Sequence, residues 1–349
     1  MTKTIKIIQP DDWHVHLREG EMLKQVTKCT SRVNKRCIAM PNTNIPITTS
    51  KLALEYKKII KENSFNKNFD PLIPCYLTEN LKIDDFRLGL EKNIFIGGKL
   101  YPTNATTNSE FGVHNIKSIY PVLEIIENKK KVLLVHGEKI RNNIDIFDRE
   151  KYFIDEDLVK IRHDFPNLKI VLEHVSSSYG VDFVNSNNNI AGTITPHHMM
   201  LTKKDVFSNN TINPHHFCMP VAKTENDLIS IRNAACNNNS KFFLGTDSAP
   251  HHVDQKHPNL STKAGIFSAP ISIELYAQIF EEEGCLDKFE KFSSINGPKF
   301  YNLPINNNHI ILSKEDWEVP NYLEKDEIKI KNFFGGKKLS WKLNEVNYS

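Results

Sequence analysis

The sequence predicts an α/β fold, a closed (β/α)8 TIM barrel, on two observations. Short β-branched or apolar runs alternate with longer amphipathic stretches through most of the chain, which is the pattern of βαβ units around a parallel sheet. Eight such runs are present, and most end in a reactive side chain. In a barrel the carboxyl ends of the strands gather on one face, where active sites are built from residues scattered along the sequence.

The first run, IKIIQPDDWHVHL, reads as a single strand ending in His14 and His16. It is followed by RCIAMPN, which ends at Asn42, by PLIPCYL, and by IFIGGKLYP, which carries Lys99. KVLLVHGE then brings His136, KIVLEHV brings His174, IAGTITP brings none of this group, and KFFLGTDSAP brings Asp247. Residues 49–63, 115–130 and 155–165 have apolar positions at helical spacing and read as helices between strands. With no internal repeat and no Pro/Gly/Ser-rich linker, one domain over residues 1–304 is expected. The segment 305–349 reads as an extension packed on the barrel, with short strands at NHIILS and KKLSWKL.

Of the 349 residues 39% are hydrophobic and 25% charged, which suits a globular chain with a sizeable core. Lys+Arg 45 against Asp+Glu 42 gives a formal charge of +3, too balanced for a nucleic-acid binder, so a small-molecule ligand is expected. The six cysteines form no C-x-x-C pair, which argues against a zinc ribbon or a disulfide framework and for free thiols. No apolar targeting region precedes the first Asp, and no run approaches the ~20 apolar residues that would cross a bilayer. A cytoplasmic location without membrane contact is therefore expected. The Asn-rich stretches at 185–189, 237–240 and 306–308 read as solvated loops.

Residues i and i+2 of a strand share a face, so His14 and His16 should both point into the barrel mouth. The same alternation puts Leu134 with His136, and Leu172 with His174, while Val135 and Glu173 face the other way. A single histidine ending a strand is more often a structural residue than a ligand. Four such histidines plus Asp247 on converging strands instead form a metal site whose nitrogen and oxygen donors suit zinc. Lys99 is the odd member, because an ammonium aimed at a cation is unfavourable. Either its charge changes, as in a carbamate formed with carbon dioxide, or it is a barrel lysine paired to Asp247 without metal. The doublets His197–His198 and His215–His216, and His252, lack strand-end logic and read as loop histidines. Arg18 is either a surface arginine or a bidentate clamp for a substrate carboxylate.

H-x-H after the first strand, a strand-end Lys, two further strand-end His and a final Asp resemble the amidohydrolase superfamily. PDDWHVHLREG, MPNT, KLYPTNATTNS, LLVHGE, DIFDRE, GTDSAPH and NGPKFY further resemble the short, bacterial-type dihydroorotases, from about residue 5 to residue 304. The resemblance implies a binuclear centre of two Zn2+ per subunit. His14, His16 and Asp247 would hold one ion, His136 and His174 the other, and carboxylated Lys99 and a hydroxide would bridge them. It further implies that Asp247 is the catalytic acid/base, that Arg18, Asn42 and His251 bind the substrate carboxylate, and that Met219 and Ala264 contribute backbone contacts. His136 also lies against the substrate, a mobile loop carries Thr106 and Thr107 over it, and the enzyme is a homodimer.

The implied activity is the reversible cyclisation of N-carbamoyl-L-aspartate to L-dihydroorotate in pyrimidine biosynthesis. Two departures stand out: residues 251–264 lack the cysteine- and glycine-rich stretch of bacterial relatives, and Met219 replaces an expected leucine. A hydantoinase- or dihydropyrimidinase-like enzyme would share the metal ligands but begin with a strand-rich segment, for which the residues before His14 are too few. A lactonase or phosphotriesterase-like enzyme would lack the Arg18–Asn42 pair. A non-catalytic barrel scaffold would tend to lose ligands, and none is missing.

Overall fold

The computed structural model describes residues 3–208, 211–259 and 261–347. Strand β1 (Thr4–Ile8) stands outside the barrel. Seven strands then run in order around it: β2 (Asp12–Val15), β3 (Arg36–Ala39), β4 (Asp70–Tyr76), β5 (Phe95–Leu100), β6 (Val132–Val135), β7 (Lys169–Leu172) and β8 (Ile190–Ile194). A two-strand ribbon, β9 (Phe207–Ser208) and β10 (Thr211–Ile212), lies in the next connection, and β11 (Phe242–Leu244) supplies the eighth barrel strand. The ladder β2-β3-β4-β5-β6-β7-β8-β11 is parallel throughout. Between β11 and β2 the ring is closed by a parallel bridge, Val15 to Ser248, with Asp247 N donating to His14 O at 2.8 Å and His16 N to Ser248 O at 3.0 Å.

The run expected to be one first strand is two. Pro10, which has no N–H to give a ladder, separates β1 from β2, and Asp11 turns inward to bind Arg36 (Nη2 to Oδ2, 2.7 Å). β1 pairs antiparallel with β12 (His309–Glu318), which also pairs with β15 (Lys338–Asn347). The hairpin β13 (Tyr322–Lys325) and β14 (Ile328–Lys331) lies between them in sequence. Both tail strands are longer than the sequence pattern suggested.

Inside the barrel Trp13, Ile38, Leu134, Val171 and Phe243 fill one end, while Leu133, Val135, Ile170 and Leu172 face the helices. Gly97 allows β5 to lie close to its neighbour, since a Cβ there would stand 2.1 Å from Val132 O. The helix Ser50–Glu62 starts where Thr49 accepts from Leu52 N, and Glu225–Cys236 starts with a Thr224/Asp227 capping box. The helix expected at 155–165 begins earlier, at Arg149, and passes through a π-turn at Ile154–Leu158. Among the described residues no helix is long and apolar enough to cross a membrane.

The expectation of six free thiols is corrected: Cys236 and Cys285 are joined, linking the end of one outer helix to the turn after Ser272–Glu282. Composition and spacing do not reveal a single long-range pair of this kind. Cys29, Cys37, Cys75 and Cys218 are free.

Candidate metal centre and active site

His14 lies within β2 and His16 just beyond it, Asn42 follows β3, Lys99 is in β5, His136 follows β6, His174 follows β7 and Asp247 follows β11. These ends converge. His16 Nε2 and His14 Nε2 lie 3.1 and 3.3 Å from Asp247 Oδ1, and the His174 ring centroid is 5.1 Å from His14 and 4.7 Å from His136. Ligand atoms of His14, His174 and Asp247 all fall within 4.8 Å of one another, so this buried group could hold a metal ion. Arg18, His174 and Asp247 have φ of +60°, +43° and +44°, a left-handed conformation that costs non-glycine residues on the order of 1–3 kcal/mol and clusters at functional sites.

The electrostatics are those of a cation site. Burial disfavours a charged His14, yet Glu173 and Asp247 outweigh it and raise its pKa to about 9. The anionic field that keeps a proton on His14 is a field that would keep a metal there, with loss of that proton. Burial, countered in part by Asp247, lowers His16 to about 4, leaving its neutral imidazole available as a ligand. Asp247 stays well below the usual carboxylate range: burial pushes it up, but His14 and His16 prevail. His174 Nδ1 is buried without a hydrogen-bond partner. Imidazoles and a carboxylate of this kind fit a borderline-soft divalent metal.

Lys99 is fully buried and paired to Glu173, with its Nζ 4.5 Å from the Tyr101 ring centroid. The ion pair of Lys99 is thus with Glu173 and not with Asp247. Glu173 also sits 2.9 Å from His14 Nδ1, so it faces the site, the side expected for Leu172 and His174. The strand ends at Leu172, which packs against the helices, and the positive φ of His174 turns that residue inward after Glu173. Leu134 and His136 do share a face, with Val135 opposite. Glu138 Oε2 meets His136 Nε2 at 2.8 Å. Carboxylates behind ligating histidines fix the ring and its tautomer. Glu138 was findable in the sequence, two positions beyond His136. Glu173 was not, because its side is read by alternation from His174, whose positive φ breaks the period between the two.

Every predicted site residue except Lys99 and His251 lines the narrow cleft above this group. Lys99 lies beneath. His251 stands at the mouth beside Arg18, whose Nη2 is 2.9 Å from His251 Nε2 and whose Nε donates to Pro250 O at 3.0 Å. His251 Nε2 is also 2.9 Å from Ala264 O, so its tautomer decides whether it accepts from Arg18 or donates to Ala264. Burial first, then Arg18, holds that imidazole neutral, with a pKa well below the usual value. Asn42 Nδ2 donates to Thr107 O at 2.8 Å, fixing the loop that carries Thr106 and Thr107, while its Oδ1 is buried and unpaired. Tyr101, Ala249 and Gly265 also line the cleft and were not foreseen.

His197 and His198, expected in a loop, lie in the turn after β8 and are buried. With Cys218 they form a second group with metal-ligand spacing among the described residues. His198 already uses both nitrogens, on Thr195 Oγ1 (2.8 Å) and Pro220 O (2.9 Å), and Cys218 donates to the same carbonyl, which explains the burial of these two without an ion, whereas both ring nitrogens of His197 are buried without a hydrogen-bond partner.

No family model matches the chain. A dihydroorotase of Vibrio vulnificus is 43% identical over 341 residues, spanning 97% of this chain and 99% of that protein. The chain belongs to the dihydroorotase family. Among solved structures, a dihydroorotase of Saccharomyces cerevisiae in complex with 5-fluoroorotic acid superposes with a TM-score of 0.91 at 33% identity, covering 98% of both chains. An L-hydantoinase of Arthrobacter aurescens superposes with a TM-score of 0.80 but at 15% identity, over 97% of this chain and 83% of that one, which is a likeness of fold alone. As a dihydroorotase the chain is a cyclic-amide hydrolase with an amidohydrolase barrel.

Proposed function

We propose that this dihydroorotase interconverts N-carbamoyl-L-aspartate and L-dihydroorotate, with release of water on ring closure, at a binuclear zinc centre. The observation that carries the reading is the pairing of a buried histidine–carboxylate cluster with a guanidinium end to the same cleft: Arg18, Asn42 and His251 face one end and the ligand set the other. His14, His16 and Asp247 would hold one zinc, His136 and His174 the second, and Lys99, as its carbamate, would join them. Burial lowers the pKa of Lys99 against the opposing pull of Glu173 and Asp247, which favours the free amine that carboxylation requires. Bound zinc supplies Lewis-acid polarisation of the substrate carbonyl and activation of water near neutral pH.

The protein's own groups do the rest. Arg18 grips the substrate carboxylate with two parallel N–H donors, Asn42 and His251 complete its binding, and main-chain groups at Met219 and Ala264 hold the other polar edge. His136 lies against the substrate, and Thr106 and Thr107 cover it and exclude water. Asp247 takes a proton in the hydrolytic direction and returns it to the ring nitrogen, as a positioned general acid/base does. We also read the chain as a cytoplasmic homodimer with one domain over 1–304, whose first strand β1 joins the sheet of the extension over 305–349.

The test is turnover of N-carbamoyl-L-aspartate by purified protein together with metal analysis. About two zinc per chain and turnover lost with chelation are expected. Turnover of hydantoin or dihydrouracil in preference would favour the hydantoinase-like reading, and a stable protein without turnover on any of these would favour a scaffold.

A further inference from the structure

Lys256 follows a short turn after His251 and is 9% exposed. Its ammonium donates to Lys263 O at 2.7 Å, to Gly265 O at 2.8 Å and to Phe217 O at 3.4 Å. All three acceptors are main-chain carbonyls, and among the described residues no carboxylate pairs with it. A buried cation without a counter-charge is an expensive way to stabilise a fold, so its location carries information.

The three carbonyls belong to the two segments that wall the cleft. Phe217 is two residues before Met219, and Lys263 and Gly265 flank Ala264. Gly265 N also donates to Phe217 O at 2.9 Å, joining the two segments directly. Gly265 has φ +151°, and a Cβ there would stand 2.4 Å from Ala249 O, so the segment is threaded where only glycine fits. Ala264 O in turn reaches His251 at the Arg18 end of the cleft.

We propose that Lys256 is a positioning residue for substrate binding: its ammonium ties the 217–219 and 263–265 segments into one rigid wall that presents main-chain groups to the substrate. The proposal rests on the reading of Met219 and Ala264 as substrate contacts. The same ammonium lies close enough to Arg18 for their charges to repel, so it adds positive field at the end of the cleft where a carboxylate would bind. Burial, offset in part by Cys218 and reinforced by Arg18, pushes its pKa down to about 7. Rigid main-chain donors and acceptors gain by such support, since misplacement of a bound group by about 1 Å can cost on the order of a hundredfold.

Lys256→Met removes the donors at similar length, and Lys256→Gln retains a shorter neutral donor. For each, kcat and KM for N-carbamoyl-L-aspartate, zinc content, and amide hydrogen exchange over 256–267 with and without substrate are measured. In Lys256→Met, KM should rise roughly ten- to a hundredfold with kcat within a few-fold and zinc content unchanged. Exchange over 256–267 should accelerate in the free enzyme and slow again when substrate saturates. Lys256→Gln should fall between Lys256→Met and wild type, and it serves alone if Lys256→Met does not fold. Unchanged KM with wild-type exchange, or a loss of kcat or zinc at constant KM, overturns the proposal. Absence of turnover in the wild type would instead overturn the reading on which it rests.

Discussion

Arg18 and Glu173 illustrate what a single side chain does at this site. Arg18 is held by Pro250 O on its Nε and by Tyr56, whose hydroxyl donates to Arg18 O at 3.0 Å, so its outer nitrogens are free to turn from His251 to a ligand carboxylate. Lysine offers a point charge on a flexible stem in place of that fork. Arg18→Lys should therefore lower kcat/KM for dihydroorotate by about 30- to several thousand-fold, corresponding to roughly 2–5 kcal/mol for a charge-assisted contact in a desolvated site. Zinc content should stay at the wild-type level, and turnover of dihydrouracil should be poor in both forms. Wild-type efficiency in the mutant would remove Arg18 from substrate binding. Glu173 acts one step further back, through His14 and Lys99. Glu173→Gln should weaken zinc binding roughly ten- to a hundredfold, the usual cost of losing a carboxylate behind a ligating histidine, as read by competition with a chelator. Affinity equal to wild type would mean that His14 needs no such partner.

At the scale of elements, the sequence was most informative where periodicity alone decides geometry. β6 keeps strict alternation, so Leu134 and His136 were placed on one face correctly, and the barrel order follows chain order from β2 to β8. Legibility ended where a local backbone event overrides the period. Pro10 cut the first run into β1 and β2, and the left-handed conformation at His174 turns it to the same side as Glu173, so counting back from His174 by twos puts Leu172 and Glu173 on the wrong sides. Non-local pairing was also invisible: nothing in the spacing of Cys236 and Cys285, 49 residues apart, marks them as partners. That link closes a loop running from the end of Glu225–Cys236 past β11 to the turn after Ser272–Glu282. On the chain-entropy argument a closure of this length is worth about 4 kcal/mol. Cys285→Ser should lower the urea midpoint by a corresponding amount while leaving kcat/KM unchanged, because the link lies in the helical layer away from the cleft. Wild type under strong reductant should match the mutant, and a wild-type midpoint indifferent to reductant would show that the link contributes nothing.

Across the whole molecule, the first and last strands form one sheet, so the barrel's entry and the chain's end stabilise each other. β12 lies between β1 and β15, and without it β1 would leave a row of backbone donors and acceptors unpaired. Ile310, Leu312, Leu339 and Trp341 are all fully buried, and Trp341 Nε1 donates to Glu281 Oε2 at 2.9 Å in the helix Ser272–Glu282. The same region reaches toward the site, since Phe333 N donates to Phe267 O at 2.8 Å and the next residues, Ser268 and Ala269, donate to Ser248 Oγ beside Asp247. Trp341→Ala should therefore cost about 3–5 kcal/mol, the range for deleting a buried aromatic that its surroundings cannot fill. It should appear as a lower urea midpoint with kcat/KM close to wild type well below the transition. Removal of 305–349 takes away all of these contacts and the partner of β1 together, and is expected to leave no soluble, active barrel. If the truncated chain instead kept its midpoint and turnover, the sheet would be an appendage to a self-sufficient barrel, and the path from Phe333 to Ser248 would be irrelevant to the geometry of Asp247.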